Sequence, residues 1–120
     1  QIPYEDFGPK NNDSVDYPDY ARPVAEKVAT GEFDKGILIC GTGIGISIAA
    51  NKFKGIRCAL VHDVFSAKAT RSHNDSNILA MGERVIGFGL AREIVTAWLN
   101  TEFEGGRHLA RIQKIADIEE

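Results

Sequence analysis

The run from Lys35 to Lys52 limits this chain more than any other stretch. An apolar segment, Ile37-Leu38-Ile39, stops at Cys40, and three glycines, Gly41, Gly43 and Gly45, alternate immediately after it. Apolar character then continues through Ile44, Ile46, Ile48 and Ala49. That order predicts a buried strand, a tight turn and a helix. Backbone N–H groups freed at such a turn converge on one spot, where they can hold an anion. The same positive helix end favours the thiolate of a cysteine beside it, so Cys40 is a candidate base next to an oxyanion cradle.

The turn also has plainer uses. Alternating glycines between strand and helix serve close packing or nucleotide binding in doubly wound proteins, and cysteine is often buried without a role. A dinucleotide site fits less well, because the glycines read G-x-G-x-G rather than G-x-G-x-x-G. The only candidate for the acidic residue expected downstream is Asp63, which lies past the next strand.

With 120 residues and 43% hydrophobic content, the chain suits one domain of modest core. A net charge of −3 argues against general nucleic-acid binding, so any anion must be held locally. Cys40 and Cys58 lack metal-ligand spacing and suit reduced thiols in a cytoplasmic protein. The sequence contains no signal peptide or membrane-spanning stretch.

Residues 1–20 are rich in turn formers, with at most a short strand around Ile2 to Tyr4. A helix is expected from about Tyr17 to Thr30, ended by Gly31, followed by the strand into Cys40 and a helix to about Lys52. Ile56 to Val61 reads as the next buried strand, and Asp63 caps a helix to about Ser72. Ile78 to Met81 reads as a short strand, with Val85, Ile86 and Phe88 bending into another. A helix over about Gly89 to Asn100 turns Leu90, Ile94, Val95, Trp98 and Leu99 inward. After Glu104-Gly105-Gly106, a last helix from Arg107 to Ile118 has Leu109, Ile112, Ile115 and Ala116 on one side. Helices alternating with short apolar strands give an α/β class: a three-layer Rossmann-like parallel sheet flanked by helices.

Three further groups could carry chemistry. His73-Asn74 lies in the polar cluster Arg71 to Asn77, where an imidazole can move protons and an amide can orient a hydroxyl; a solvated loop is the plain alternative. His62 is explained by a helix-capping junction, and His108 by a surface position on the last helix. Arg107 and Arg111, four residues apart at the start of that helix, can grip one phosphate or carboxylate, unless Glu102 and Glu104 simply pair with them. Tyr17 can stack on a sugar or cover a core edge.

Taken together, the run Gly36 to Lys52, Arg71 to Asn77, Asp16-Tyr17-Pro18-Asp19-Tyr20 and Glu104-Gly105-Gly106-Arg107-His108 resemble ribose-5-phosphate isomerase B. The same family includes the galactose-6-phosphate isomerase subunits. The resemblance runs from about Asp16 to the end, with the motifs in order. It implies that Cys40 moves the proton between C1 and C2 of an open-chain sugar phosphate, with Thr42 at the reacting end. By the same resemblance, Gly41, Gly43, Gly45 and Ser47 hold the enediolate oxygens, His73 opens the furanose ring and Asn74 binds hydroxyls. Tyr17 lines the pocket, and Arg107 and Arg111 grip the phosphate. The implied assembly is a homodimer or dimer of dimers, with each site shared across the interface.

Family members also begin with a strand and helix carrying an Asp-His pair, which this sequence does not contain. Residues 1–120 are therefore expected to be a single sugar-phosphate isomerase domain without that first strand and helix, leaving a gap in the sheet. Aldose–ketose isomerisation needs a base, ring opening and enediolate stabilisation, with no redox cofactor or metal. The expected reaction interconverts ribose 5-phosphate and ribulose 5-phosphate in the cytoplasm, with no nucleic-acid or membrane partner. Allose or galactose 6-phosphate as substrate, a noncatalytic sugar-phosphate-binding subunit and a nucleotide-binding regulatory domain are the alternatives.

Overall fold

The computed structural model describes residues 3–9 and 15–119. In chain order the elements are α1 (Pro18–Ala29), β1 (Gly36–Cys40), α2 (Ile44–Ala50), β2 (Cys58–Leu60), α3 (Val64–Asn74), β3 (Ile78–Gly82), α4 (Phe88–Leu99) and α5 (Arg107–Ile118). The strands form a parallel sheet in the order β1-β3-β2. Gly36 is in register with Ile78 and Cys40 with Gly82, while Cys58 also aligns with Ile78. The alternation predicted from sequence thus becomes an α/β fold with a parallel sheet between helices.

Two apolar clusters lie on opposite faces of the central strand β3. Ile78 and Ala80 pack with Leu38, Ile46, Ala50 and the α1 residues Ala21, Ala25 and Val28. Leu79 and Met81 pack with Val61, Ala67, Ile94 and Trp98 from the other side. Every residue of β3 is therefore buried, as a strand with helices on both faces requires.

β1 does not share that environment. Ile37 and Ile39, expected inside, are 39% and 54% exposed, and only Leu38 of the apolar run is buried. The reason is position: β1 pairs with β3 alone among the described residues, and α3 and α4 cover the β3 and β2 side.

Several other expectations shift. The apolar run Val85 to Phe88 is not a strand: the Val85 and Ile86 amides both donate to the Gly82 carbonyl, forming a turn into α4. A Cβ on Gly82 would lie 2.5 Å from the Thr42 carbonyl carbon, so β3 stops where the glycine turn crosses its end. Leu90 is exposed, whereas Ile94 and Trp98 are fully buried. On α5, Ile112 is buried, but Leu109 and Ile115 face solvent and His108 is buried instead. Pro3 and Tyr4 are not in a strand, and Ile2 lies outside the described residues.

Local signals otherwise act as expected. The Asp63 carboxylate accepts the Ser66 amide at the start of α3. The helix ends at Asp75, whose positive φ of 48° closes the last turn.

Candidate active site

Cys40 is the last residue of β1, and its Sγ accepts the Gly43 amide at 3.2 Å. That bond fixes the sulfur beside the turn. Gly43 can supply it because its φ of +79° turns the peptide back toward Cys40. A Cβ at Gly43 would meet the Met81 carbonyl carbon and oxygen at 2.8 and 2.9 Å, so the turn requires glycine on grounds of space as well.

Thr42 is exposed at the tip of the turn, its Oγ1 accepting the Ile44 amide. Ser47 is buried one turn into α2 and donates its hydroxyl to the Ile44 carbonyl. Tyr17, immediately before α1, lays its ring on Gly45, where a Cβ would lie 2.4 Å from Cζ. The Arg84 side chain lies over Gly41, 3.6 Å from where a Cβ would sit. Cys40, Thr42, Ser47, Tyr17 and the three glycines are thus gathered at the C-terminal edge of the sheet. Reasoning from the sequence missed Arg84, which carries no signal beyond its position after Gly82.

The other candidates gather elsewhere. His73 and Asn74 end α3, just before the N-terminal end of β3. His73 stacks on His108, with ring centroids 4.3 Å apart and planes 14° from parallel. Glu104 donates its amide to the Ser72 carbonyl at 3.0 Å and sets its carboxylate 3.5 Å from His108 Nε2. Burial, the cationic form of His73 and the charges of Arg107 and Arg111 lower the His108 pKa, against the raising effect of Glu104. The surface role expected for His108 is therefore corrected: it is covered by the loop before α5 and by the end of α3. Arg107 and Arg111 are exposed, and among the described residues neither forms an ion pair with Glu102 or Glu104.

Arg71 holds this second group in place. It is 8% exposed and donates to the Asp75 carboxylate at 2.8 Å, the Ser76 carbonyl at 2.8 Å and the Thr101 carbonyl at 3.2 Å. Arg57 adds bonds to the Asn74 and Asp75 carbonyls. The end of α3 is thereby tied both to β2 and to the α4–α5 connection. His62 also has a specific task, its Nε2 accepting the Gly82 amide at 2.9 Å.

The two groups lie at opposite edges of the sheet. β1 runs from Gly36, level with the start of β3, to Cys40, level with its end. At 3.3 Å per residue this separates the edges by roughly 13 Å. Two clefts among the described residues lie away from Cys40, one between α3 and α4 and the other beneath α5 beside Asn74 and Arg57.

Comparison with known proteins gives a consistent picture. A family profile described as Ribose/Galactose Isomerase matches residues 1–115. A Bacillus subtilis (strain 168) protein, provisionally named as a sugar phosphate isomerase, is 74% identical over 100% of this chain and 81% of its own length. Ribose-5-phosphate isomerase B of Escherichia coli (strain K12) is 55% identical over 96% of this chain and 77% of its own. The solved structure of Clostridium thermocellum ribose-5-phosphate isomerase B superposes with a TM-score of 0.94 at 58% identity, covering 96% of this chain and 78% of that one.

Proposed function

The chain belongs to the Ribose/Galactose Isomerase family, and we propose that residues 1–120 act as one domain interconverting ribose 5-phosphate and ribulose 5-phosphate with Cys40 as the base. It is an aldose–ketose isomerase of sugar phosphates. The observation that carries the proposed chemistry is the Gly43 amide on Cys40 Sγ, which fixes the sulfur where the turn can also face a developing oxyanion.

In this reading, the Cys40 thiolate takes the proton from C2 of the open-chain aldose. The C2–H electron pair forms the enediolate C1–C2 double bond, and charge passes to the C1 oxygen. The glycine turn and Thr42 face the enediolate oxygens; Ser47 supports the turn through Ile44. A proton passes from the C2 hydroxyl to the C1 oxygen, and return of the proton held on Cys40 Sγ to C1, as the C2 carbonyl forms, gives the ketose. Tyr17 closes the wall over Gly45. His73 opens the furanose ring by moving a proton between ring oxygen and hydroxyl, and Asn74 binds hydroxyls. Arg107 and Arg111 hold the phosphate, and their lack of ion pairs among the described residues leaves them able to do so.

These roles require two copies of the chain. Cys40 and His73 of one protomer stand at opposite sheet edges, too far apart to act on the same five-carbon sugar. A second protomer supplies His73, Asn74 and both arginines to the Cys40 end of the first, in a homodimer or a dimer of such dimers. The exposed apolar side chains Ile44 and Ile48 beside the turn suit contact with that copy. The free thiols Cys40 and Cys58 suit a reducing cytoplasm.

The test is an isomerase assay of the full-length enzyme and its Cys40→Ala variant over four-, five- and six-carbon aldose phosphates. Turnover should be lost with binding largely kept, and the parent should favour five carbons. Undiminished turnover would remove the cysteine from the mechanism; preference for a six-carbon sugar would reassign the substrate. Co-expression of Cys40→Ala with His73→Asn should restore activity in mixed dimers, and no recovery would refute the shared site.

A further inference from the structure

His73, Glu104 and His108 offer two imidazoles and a carboxylate whose ligand atoms all lie within 4.8 Å of one another. Two histidines and a glutamate, with one position left open, form a recurrent set for zinc. In a tetrahedral site with bonds near 2.1 Å, neighbouring ligand atoms stand about 3.4 Å apart. His108 Nε2 and Glu104 Oε1 already stand 3.5 Å apart. His73 lies within 4.8 Å of both, and because an imidazole lone pair lies in its ring plane, the exposed His73 ring must swing out of its stack on His108 for both nitrogens to face one ion.

The backbone holds these ligands together before any ion arrives. The Glu104 amide is bonded to the carbonyl of Ser72, the residue preceding His73, and His108 is fixed by burial. Imidazole donors select Zn2+ or Co2+ over Mg2+ or Ca2+, which prefer all-oxygen shells. The charges of Arg107 and Arg111 reach the site and oppose a cation there, which weakens its hold.

We propose that His73, Glu104 and His108 form a divalent transition-metal site, and that Zn2+ bound there inhibits the isomerase by occupying the His73 lone pair. The inhibition rests on the ring-opening role given to His73; the binding does not. No redox change is involved, since the ion coordinates neutral imidazole nitrogens and a carboxylate and displaces only water and any ligand-bound proton.

The test uses the full-length enzyme stripped with chelator. It is titrated with Zn2+ against a chromogenic chelator and with Co2+ followed by its visible absorption. The expected result is one ion per chain and a tetrahedral Co2+ spectrum. Glu104→Gln and His108→Ala should each weaken binding roughly 10–100-fold, comparable to losses seen when metal-site support is removed. Glu104 is exposed, so its substitution reports on the site even if His108→Ala fails to fold. Binding should persist in Cys40→Ser. Absence of stoichiometric binding, binding unchanged by Glu104→Gln, or binding lost with Cys40 would overturn the proposed site. Inhibition of ring-closed substrate should follow occupancy. Binding at this site without inhibition would support the site and overturn the inhibitory claim together with the ring-opening role of His73, leaving Cys40 chemistry untouched.

Discussion

Replacing Arg71 probes how much of the site is built by a residue that touches no substrate. Its guanidinium makes three hydrogen bonds, to Asp75, Ser76 and Thr101, from a position only 8% exposed, and lies 6.0 Å from the centre of the Trp98 ring. Breaking a buried charged pair costs about 3–5 kcal/mol when the partner is stranded. Asp75 is 36% exposed and keeps Arg57 at 3.5 Å, so its share must be discounted. The Ser76 and Thr101 carbonyls lose a charged donor at about 1.5 kcal/mol each. Arg71→Met, which keeps the apolar stem, should therefore cost about 3–4 kcal/mol. Arg71→Lys retains charge but not the fork, and should cost roughly half as much. Urea unfolding followed by Trp98 fluorescence gives the loss directly. Isomerase assays at saturating stability should show a fall in kcat/KM for ring-closed substrate, because the end of α3 loses its tie to the α4–α5 connection. A loss under about 1 kcal/mol for Arg71→Met would refute the network as an organiser of the His73 region.

Arg107→Ala and Arg111→Ala should each weaken kcat/KM for phosphorylated sugars by about 1.5–3 kcal/mol, mainly through KM; equal effects on unphosphorylated sugars would exclude phosphate contact. Gly43→Ala combines a φ of +79° with overlap on the Met81 backbone and should destabilise by at least about 2 kcal/mol in denaturant titration; a neutral result would mean that the turn relaxes freely. Burial pushes the Cys58 thiol from its ordinary 9.0 up to about 12, so the folded state keeps a proton that the unfolded chain releases. Stability from Cys58 is thus present below pH 9.0 and declines by about 1.4 kcal/mol per unit as pH rises toward the folded value. Parent and Cys58→Ala should diverge in urea midpoint only above that threshold, and parallel curves would contradict the shift.

Residues 36–45 were legible because one short segment carries all its own constraints. The apolar strand, the cysteine and the alternating glycines fix strand, turn and helix locally, and the Gly43 amide reaches Cys40 without help from distant chain. The exposure of Ile37 and Ile39 is not legible for the opposite reason. A continuous apolar run predicts a strand covered on both faces, but coverage depends on which strand lies at the edge, and the segment itself does not encode that. His108 is similar. Helical periodicity turns Leu109 and Ile115 inward, whereas the real partner of α5's first turn is the end of α3, which covers a histidine and leaves both apolar residues in solvent. Arg71 sat among turn formers with no mark of burial. Its role arises because Thr101, thirty positions on, returns to the same place.

The division of the candidate groups between two sheet edges follows from the parallel fold itself. In a parallel sheet every strand ends at the same edge, so a base at the end of β1 and the turn after it must share that edge. Helices return the chain to the opposite edge, and this carries the end of α3 and the start of α5 there, with His73 stacked on His108. Each group is rigid in its own way, one through the Cys40–Gly43 bond and the packed glycines, the other through Arg71 and the Glu104–Ser72 bond. If both act on one sugar, neither edge alone sets the distance between base and phosphate grip; the docking of two copies sets it. Carbon-chain preference then depends on the interface as much as on pocket-lining residues. Substitutions at Ile48 that shift docking without touching either group should alter substrate length preference before they alter the stability of the protomer.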